Sequence, residues 1–200
     1  MARLGTTTYG NRNTERIAKA KQEAISRGLI RPSIIEIGAG GVINFLSYFF
    51  HDMEHKDRGK FKRMNYGLVK IAESVLRKTG IFNLETFETE EIIDSFRDLN
   101  PRKVYIVDIE SKVIDAVRKK ILPQKPNMSL EFGLIDVSRE QLPHTGDIIL
   151  AYNVLERVEN KDYAVSSIAN AVNGGGLLST TFDITIPEFK KIDEGLYLKK

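Results

Sequence analysis

Cysteine is absent from this chain. That excludes a disulfide framework and any thiolate metal site, and it is compatible with a reducing compartment. A strong charge imbalance is also missing: 30 basic residues face 27 acidic ones, a net of +3, which is not the balance of a dedicated nucleic-acid binder. The opening residues `MARLGTTTYGNRN` lack the apolar core of a signal peptide, and the longest apolar runs are strand-sized. The expectation is a soluble, cytoplasmic protein with no membrane partner. What is present, 200 residues with 42% hydrophobic content, suffices for one well-buried domain over 1–200 but not for two full-sized ones.

The first 31 residues predict an irregular start followed by a helix capped by Thr14, with Ile17, Ala20, Ala24 and Ile25 on one face and Gly28 as its stop. `IIEI` (34–37) then predicts a buried strand running into `GAGG`, followed by `VINFLSYFF`, a helix apolar nearly all round. Residues 52–100 predict a helical insertion. Phe61, Met64, Leu68, Ile71, Val75 and Leu76 recur at helical spacing, and a second helix is expected near Thr89 with Glu90 and Glu91 in its first turn. Beyond Pro101 the pattern turns regular. Strand `KVYIVDI`, helix 111–121, strand `LEFGLID`, strand `DIILAYNV`, helix 161–172, the turn `NGGG` and strand `LLSTTF` alternate as parallel crossover units do. `EFKKIDEGLYLKK` predicts two short strands around Gly195, a short antiparallel C-terminal edge. The fold class is therefore α/β, a doubly wound, Rossmann-like, mostly parallel sheet.

The glycine turn after the first strand lacks two things. A dinucleotide fingerprint beginning at Gly38 and Gly40 needs a third glycine at position 43, and position 43 is Ile. A nucleoside triphosphate loop needs a closing Gly-Lys-Ser/Thr, and `GAGGVIN` has neither the lysine nor the hydroxyl. What remains is a turn that lets backbone approach a ligand, preceded by an acid, Glu36, which would suit a positively charged one.

`EIGAG` in this setting resembles the first motif of the class I S-adenosylmethionine-dependent methyltransferases, E/D-x-G-x-G. Later segments are similar to that family's further motifs in the same order. `VYIVDIESKVIDAVRKK` resembles its second strand, ending in the acid that holds the ribose hydroxyls, here Asp108 with Ile109 beside it. `LEFGLIDVSREQLP` resembles the third unit, with Asp136 in the place of the adenine-recognising acid and Val137 next to it. `DIILAYNVLERV` resembles the fourth strand and its loop, with Asn153 at the strand end, and `NGGGLLSTT` the fifth. The resemblance covers roughly residues 33–56 and 102–183. It implies S-adenosyl-L-methionine as cofactor, held by Glu36, Gly38, Ala39, Gly40, Asp108, Ile109, Asp136, Val137 and Asn153.

This sequence departs from the family pattern in two places. Seventy positions separate Gly38 from Asp108, far more than a simple crossover needs, so the insertion lies between strands 1 and 2. The usual histidine of `NVLEHV` is Arg157, which leaves no general base at that position. Glu156 and His51 are candidates without geometry, and no catalytic residue is assigned.

Each of these signals also has a plain structural reading. Gly38 and Gly40 suit any tight strand-to-helix turn, and Asp108 and Asp136 any solvated strand end. `HDMEH` (51–55) has the H-x-x-E-H spacing of a zinc protease, but a polar helix end accounts for it better, and no metal is expected. Residues 56–79 hold eight basic against two acidic residues, and 83–100 one basic against six acidic. Two amphipathic helices with solvated, compatible charge explain this, as does a basic patch for a nucleic acid. Tyr9, Tyr48 and Tyr66 are possible pocket residues. The expected function is methyl transfer by in-line attack of a substrate nucleophile, with a small-molecule acceptor. Two alternatives stay open: an acceptor that is nucleic acid or protein, and a non-catalytic interaction module retaining the fold.

Overall fold

Ile148, Ile149, Leu150 and Ala151 are each 0% exposed, as an apolar run becomes when a strand is covered on both faces. Runs of this kind form the centre of a seven-stranded sheet in a computed structural model that describes residues 8–39, 87–125 and 127–200. The described elements are α1 (Thr8–Ser26), β1 (Ser33–Ile37), α2 (Phe87–Ser95), β2 (Lys103–Asp108), α3 (Ser111–Ile121), β3 (Leu130–Leu134), β4 (Gly146–Ala151), α4 (Lys161–Ala171), β5 (Val172–Thr180), β6 (Phe189–Asp193) and β7 (Leu196–Lys199). Single 3-10 turns at Arg97–Leu99 and Leu122–Gln124 follow α2 and α3.

The strand order is β3-β2-β1-β4-β5-β7-β6. β1 to β5 pair in parallel, β7 runs antiparallel to β5, and β6 antiparallel to β7. From β1 the order runs outward in both directions. A right-handed crossover moving one way lays its helix on one face, and a crossover moving the other way uses the opposite face. Accordingly Val113, Ile114, Val117 and Ile121 of α3 pack with Ile34, Ile106 and Leu150 in one core, joined by Ile17, Ala20 and Ala24 of α1, Ile92 and Ile93 of α2 and Phe96 just after it. Ala164, Ile168 and Ala171 of α4 pack with Ile35, Ile37, Val107 and Ile149 in the other.

The doubly wound sheet and its short antiparallel edge match the sequence expectation. Some boundaries differ. Thr14 lies inside α1, and its hydroxyl is not a cap but donates to Glu91 Oε1 at 2.6 Å. Ile25 is 53% exposed, because it lies one helical step beyond Ala24 and off the buried stripe. Thr89 lies within α2, close to where a helix was expected. `NGGG` is not a separate turn: β5 starts at Val172 directly after α4, and the β4–β5 register shifts between Gly146 and Ile148. The edge hairpin turns at Gly195, with φ +67°, where a Cβ would meet Thr180 O at 2.1 Å.

Two acids of α2 and one of the 3-10 turn after it are matched within the described residues. Glu90 pairs with Lys120 at 3.3 Å, Asp94 with Lys125, and Asp98 with Lys21 at 2.8 Å. The basic stretch 56–79, the zinc-like `HDMEH`, the apolar `VINFLSYFF`, the first insertion helix and the whole of Tyr48 and Tyr66 lie outside the described residues.

Candidate functional site

Strand order reverses at β1, where the chain's two halves diverge to β2 on one side and β4 on the other, and such a switch point opens a crevice at the carboxyl ends of the strands. The protein has a cavity of about 420 Å³ there. That size falls within the usual range for small-molecule sites. Its walls come from the ends of β1, β2, β3 and β4 and the loops that follow them.

The floor is the turn after β1. Gly38 donates its N–H to Val107 O at 2.8 Å, continuing the ladder toward β2 by one residue. Its φ is +82°, and a Cβ there would stand 2.5 Å from Val154 Cγ2. Only glycine gives both the conformation and the clearance.

Asp108 ends β2 and is 8% exposed. Its Oδ1 accepts the Glu110 N–H at 2.9 Å, a bond two residues onward that turns the carboxylate back over the start of α3. Ile109, between them, is 62% exposed and lines the cavity with an apolar side chain.

Asp136 lies two residues beyond the end of β3 and caps a turn. Its Oδ1 accepts the Ser138 hydroxyl at 2.6 Å and the Ser138 N–H at 2.9 Å, while its backbone oxygen accepts from Arg139 and Glu140. Glu140 Oε1 accepts the Asp136 N–H at 3.2 Å in return, a reciprocal capping arrangement. The Ser138 hydroxyl chiefly holds the Asp136 carboxyl below its ordinary range, helped by the Ser138 N–H and the charge of Arg139 against the opposing effect of burial. Val137, buried beside it, faces the cavity.

Asn153 follows β4 with φ +56°, a left-handed conformation that asparagine tolerates better than most residues. Its N–H is fixed by Thr181 Oγ1 at 2.6 Å, beyond the end of the neighbouring β5. Tyr152, buried just before it, lines the cavity and donates its hydroxyl to Ser179 Oγ at 2.9 Å. Arg139 Nη2 meets Glu159 Oε2 at 3.1 Å, linking the loop after β3 to the loop after β4. Four acids, Asp108, Glu110, Asp136 and Glu159, line the cavity against two arginines, Arg139 and Arg157. This balance favours a ligand carrying positive charge.

Of the residues singled out in the sequence, Gly38, Asp108, Ile109, Asp136, Val137 and Asn153 come together on this cavity. Glu36 and Ala39 do not line it. Ala39, within the turn, and Glu36, before it, are both buried, and Glu36 Oε1 accepts the Thr89 hydroxyl at 2.7 Å. Gly40 and His51 lie outside the described residues, as does the side chain of Tyr9, and Glu156 is exposed without lining the cavity. Among the described residues no cluster of acids and histidines could hold a metal ion. Tyr152, Ser138, Arg139 and Glu159 also line the cavity, though no sequence motif marks them. `AYN` at a strand end and `DVS` after one were the available signals for the first two; the ion pair joins loops twenty residues apart and has none.

Sheet order, antiparallel last strand and a crevice at β1 and β4 together define a Rossmann-like α/β fold. Solved structures similar to this chain include methyltransferases. The N-methyltransferase NodS from Bradyrhizobium japonicum WM9, in complex with S-adenosyl-L-homocysteine, superposes with a TM-score of 0.52 at 12% identity over 88% of this chain and 63% of its own. The StiE O-methyltransferase, residues 961–1257, gives 0.51 at 14% identity over 86% and 43%. An S-adenosylmethionine-dependent methyltransferase from Clostridium acetobutylicum ATCC 824 gives 0.50 at 8% identity over 82% and 48%. The chain thus spans 43 to 63% of the length of these proteins. No protein-family model and no curated protein matches the sequence. No helix among the described residues is long and apolar enough to cross a membrane.

Proposed function

We propose that this chain is an S-adenosylmethionine-dependent methyltransferase acting on a small molecule. One observation carries the reading: Gly38, Asp108, Asp136 and Asn153, drawn from four strand ends, border a single cavity at the switch point of this fold. The lining fits the cofactor. Asp108 offers a carboxylate to a vicinal diol, Ile109 and Val137 offer apolar surface to an aromatic base, and the acidic lining suits a ligand with an ammonium and a sulfonium group. When bound, S-adenosylmethionine supplies a methyl group already activated by its positive sulfur, which a substrate nucleophile takes by in-line attack.

The chain's own residues then act by placement. Gly38 with Ala39 and Gly40 lets backbone approach the methionine part, with Glu36 ordering that turn from below. Asp108 holds the ribose, and Asp136 fixes the turn that presents Val137 and Ser138 to the adenine. Asn153, locked by Thr181, and Tyr152, locked by Ser179, shape the end where the methyl group is exchanged. Rigid placement of two bound molecules is the larger part of such catalysis. A small acceptor is favoured because `NVLERV` lacks the Pro-Pro that follows the Asn or Asp in the similar enzymes acting on DNA bases or protein glutamine.

Calorimetric titration with S-adenosylmethionine and S-adenosylhomocysteine tests the reading. A dissociation constant between about 1 µM and 1 mM is expected. Absence of binding refutes the cofactor assignment, and binding without turnover on any acceptor favours an interaction module. A second reading, a nucleic-acid or protein acceptor, is favoured by one observation. Glu90, Asp94 and Asp98 of the acidic segment are already matched to Lys120, Lys125 and Lys21, so these acids are not reserved for the basic stretch 56–79. Steeply salt-dependent binding of RNA or DNA supports an acceptor of that kind, and its absence at low salt removes the nucleic acid.

A further inference from the structure

We propose that Thr89 is a positioning residue of the cofactor site, its hydroxyl holding the Glu36 carboxylate and so tying helix α2 to the glycine turn. The inference rests on the methyltransferase reading above. Side chains alternate along β1, so Glu36 shares a face with Ile34 and points into the helical layer of α1, α2 and α3. Its partners in the sheet are Ile106 and Leu150, both 0% exposed, and Glu36 itself is 2% exposed. A carboxylate in such surroundings depends on the donors that reach it. One of them is Thr89, 0% exposed and 53 positions away in sequence, donating at 2.7 Å.

Thr89 is itself firmly placed. Ile92, Ile93 and Phe96 anchor α2 in the core, and Thr14, Lys120 and Lys125 hold its outer acids. Only Ile37 separates Glu36 from Gly38, the cavity's floor. A change in the set of the Glu36 side chain therefore passes through one buried peptide into the ligand-facing turn. The element that closes the long span between β1 and β2 thus grips the acid of the turn that begins it. A threonine serving stability alone would affect melting and leave ligand affinity unchanged in the folded protein.

Titration of S-adenosylhomocysteine into Thr89→Val and Thr89→Ser, with melting measured in parallel, separates the two roles. Thr89→Val removes the hydroxyl at constant shape and should weaken binding about tenfold, while Thr89→Ser should stay within about twofold of wild type. In a Glu36→Gln background, Thr89→Val should bring no comparable further loss. A folded Thr89→Val with wild-type affinity overturns the proposal. Should that variant not fold, hydrogen exchange of the wild type decides: amides of 87–95 should gain protection on adding S-adenosylhomocysteine, and unchanged exchange in the bound protein overturns the proposal. A wild type that binds no S-adenosylhomocysteine refutes the methyltransferase reading itself, a different result from either.

Discussion

The two ends of the sheet use their carboxylates differently. At the amino end, Asp147 of β4 accepts the Ser33 N–H at 2.8 Å, the Ser33 hydroxyl at 2.9 Å, an Arg102 N–H at 3.3 Å and the Asn173 amide at 2.7 Å. These donors come from β1, from the approach to β2 and from β5, so one carboxylate clamps four strands together. At the carboxyl end, Asp108 and Asp136 are oriented from within their own loops, by Glu110 and by Ser138. The first arrangement joins segments distant in sequence and supports the fold. The second aims charge into a cavity, beside a glycine and an asparagine in left-handed conformations. In open α/β sheets the carboxyl end is where ligands bind, and here the difference lies in where each acid finds its donors.

Substitutions at the two ends should separate stability from ligand affinity along the same line. The largest effect is expected at Gly38→Ala, where the positive φ and the approach to Val154 act together. A loss of about 2–4 kcal/mol in stability, read from urea unfolding, should accompany loss of measurable S-adenosylhomocysteine binding. Next, Asp147→Ala should destabilise by about 2–3 kcal/mol because it strands several part-buried donors, yet leave the ligand affinity of the folded protein unchanged. Asp108→Ala should do the reverse, weakening binding by about tenfold or more while costing less than about 1 kcal/mol of stability.

At the amino end acid should act through Asp147. Burial, the largest influence on the Asp147 carboxyl, pushes it up, but the Ser33 N–H, the Asn173 amide, the Ser33 hydroxyl and the Arg102 charge together bring it below its ordinary value. With the folded value below the unfolded one, this stabilisation is complete above about pH 4 and is lost as pH falls through the folded value. The difference in unfolding free energy between wild type and Asp147→Asn should therefore shrink as pH drops from 5 to below about 3. The smallest effect is expected at Arg139→Met. Its ion pair with Glu159 is exposed on both sides and should contribute less than about 0.5 kcal/mol to the melting profile.

Much of this architecture was legible because sheet and helix periodicities are local. `KVYIVDI` announces a covered strand by its apolar run, and Asp108 announces itself as the first acid after it. Helix limits were less legible. Thr14 has the chemistry of a cap, but its hydroxyl satisfies Glu91 on α2, and nothing near it in sequence says so. The same holds for Glu36. Its place in `EIGAG` marked it as an acid of the site, while its burial away from the cavity and its bond to Thr89 depend on where a helix 53 positions later comes to rest. Asp136 was found at the right strand but with an incomplete role, since the capping turn with Ser138 and Glu140 forms only past the strand end. Motifs marked which side chains face the crevice; tertiary packing decided what holds them there.

The most direct test of the central claim is an experimental structure with S-adenosylhomocysteine bound. The ligand should lie in the crevice between the carboxyl ends of β1 and β4, with its ribose hydroxyls on the Asp108 carboxylate and its base between Ile109 and Val137. Ligand found elsewhere, or ribose hydroxyls that do not touch Asp108, would contradict it.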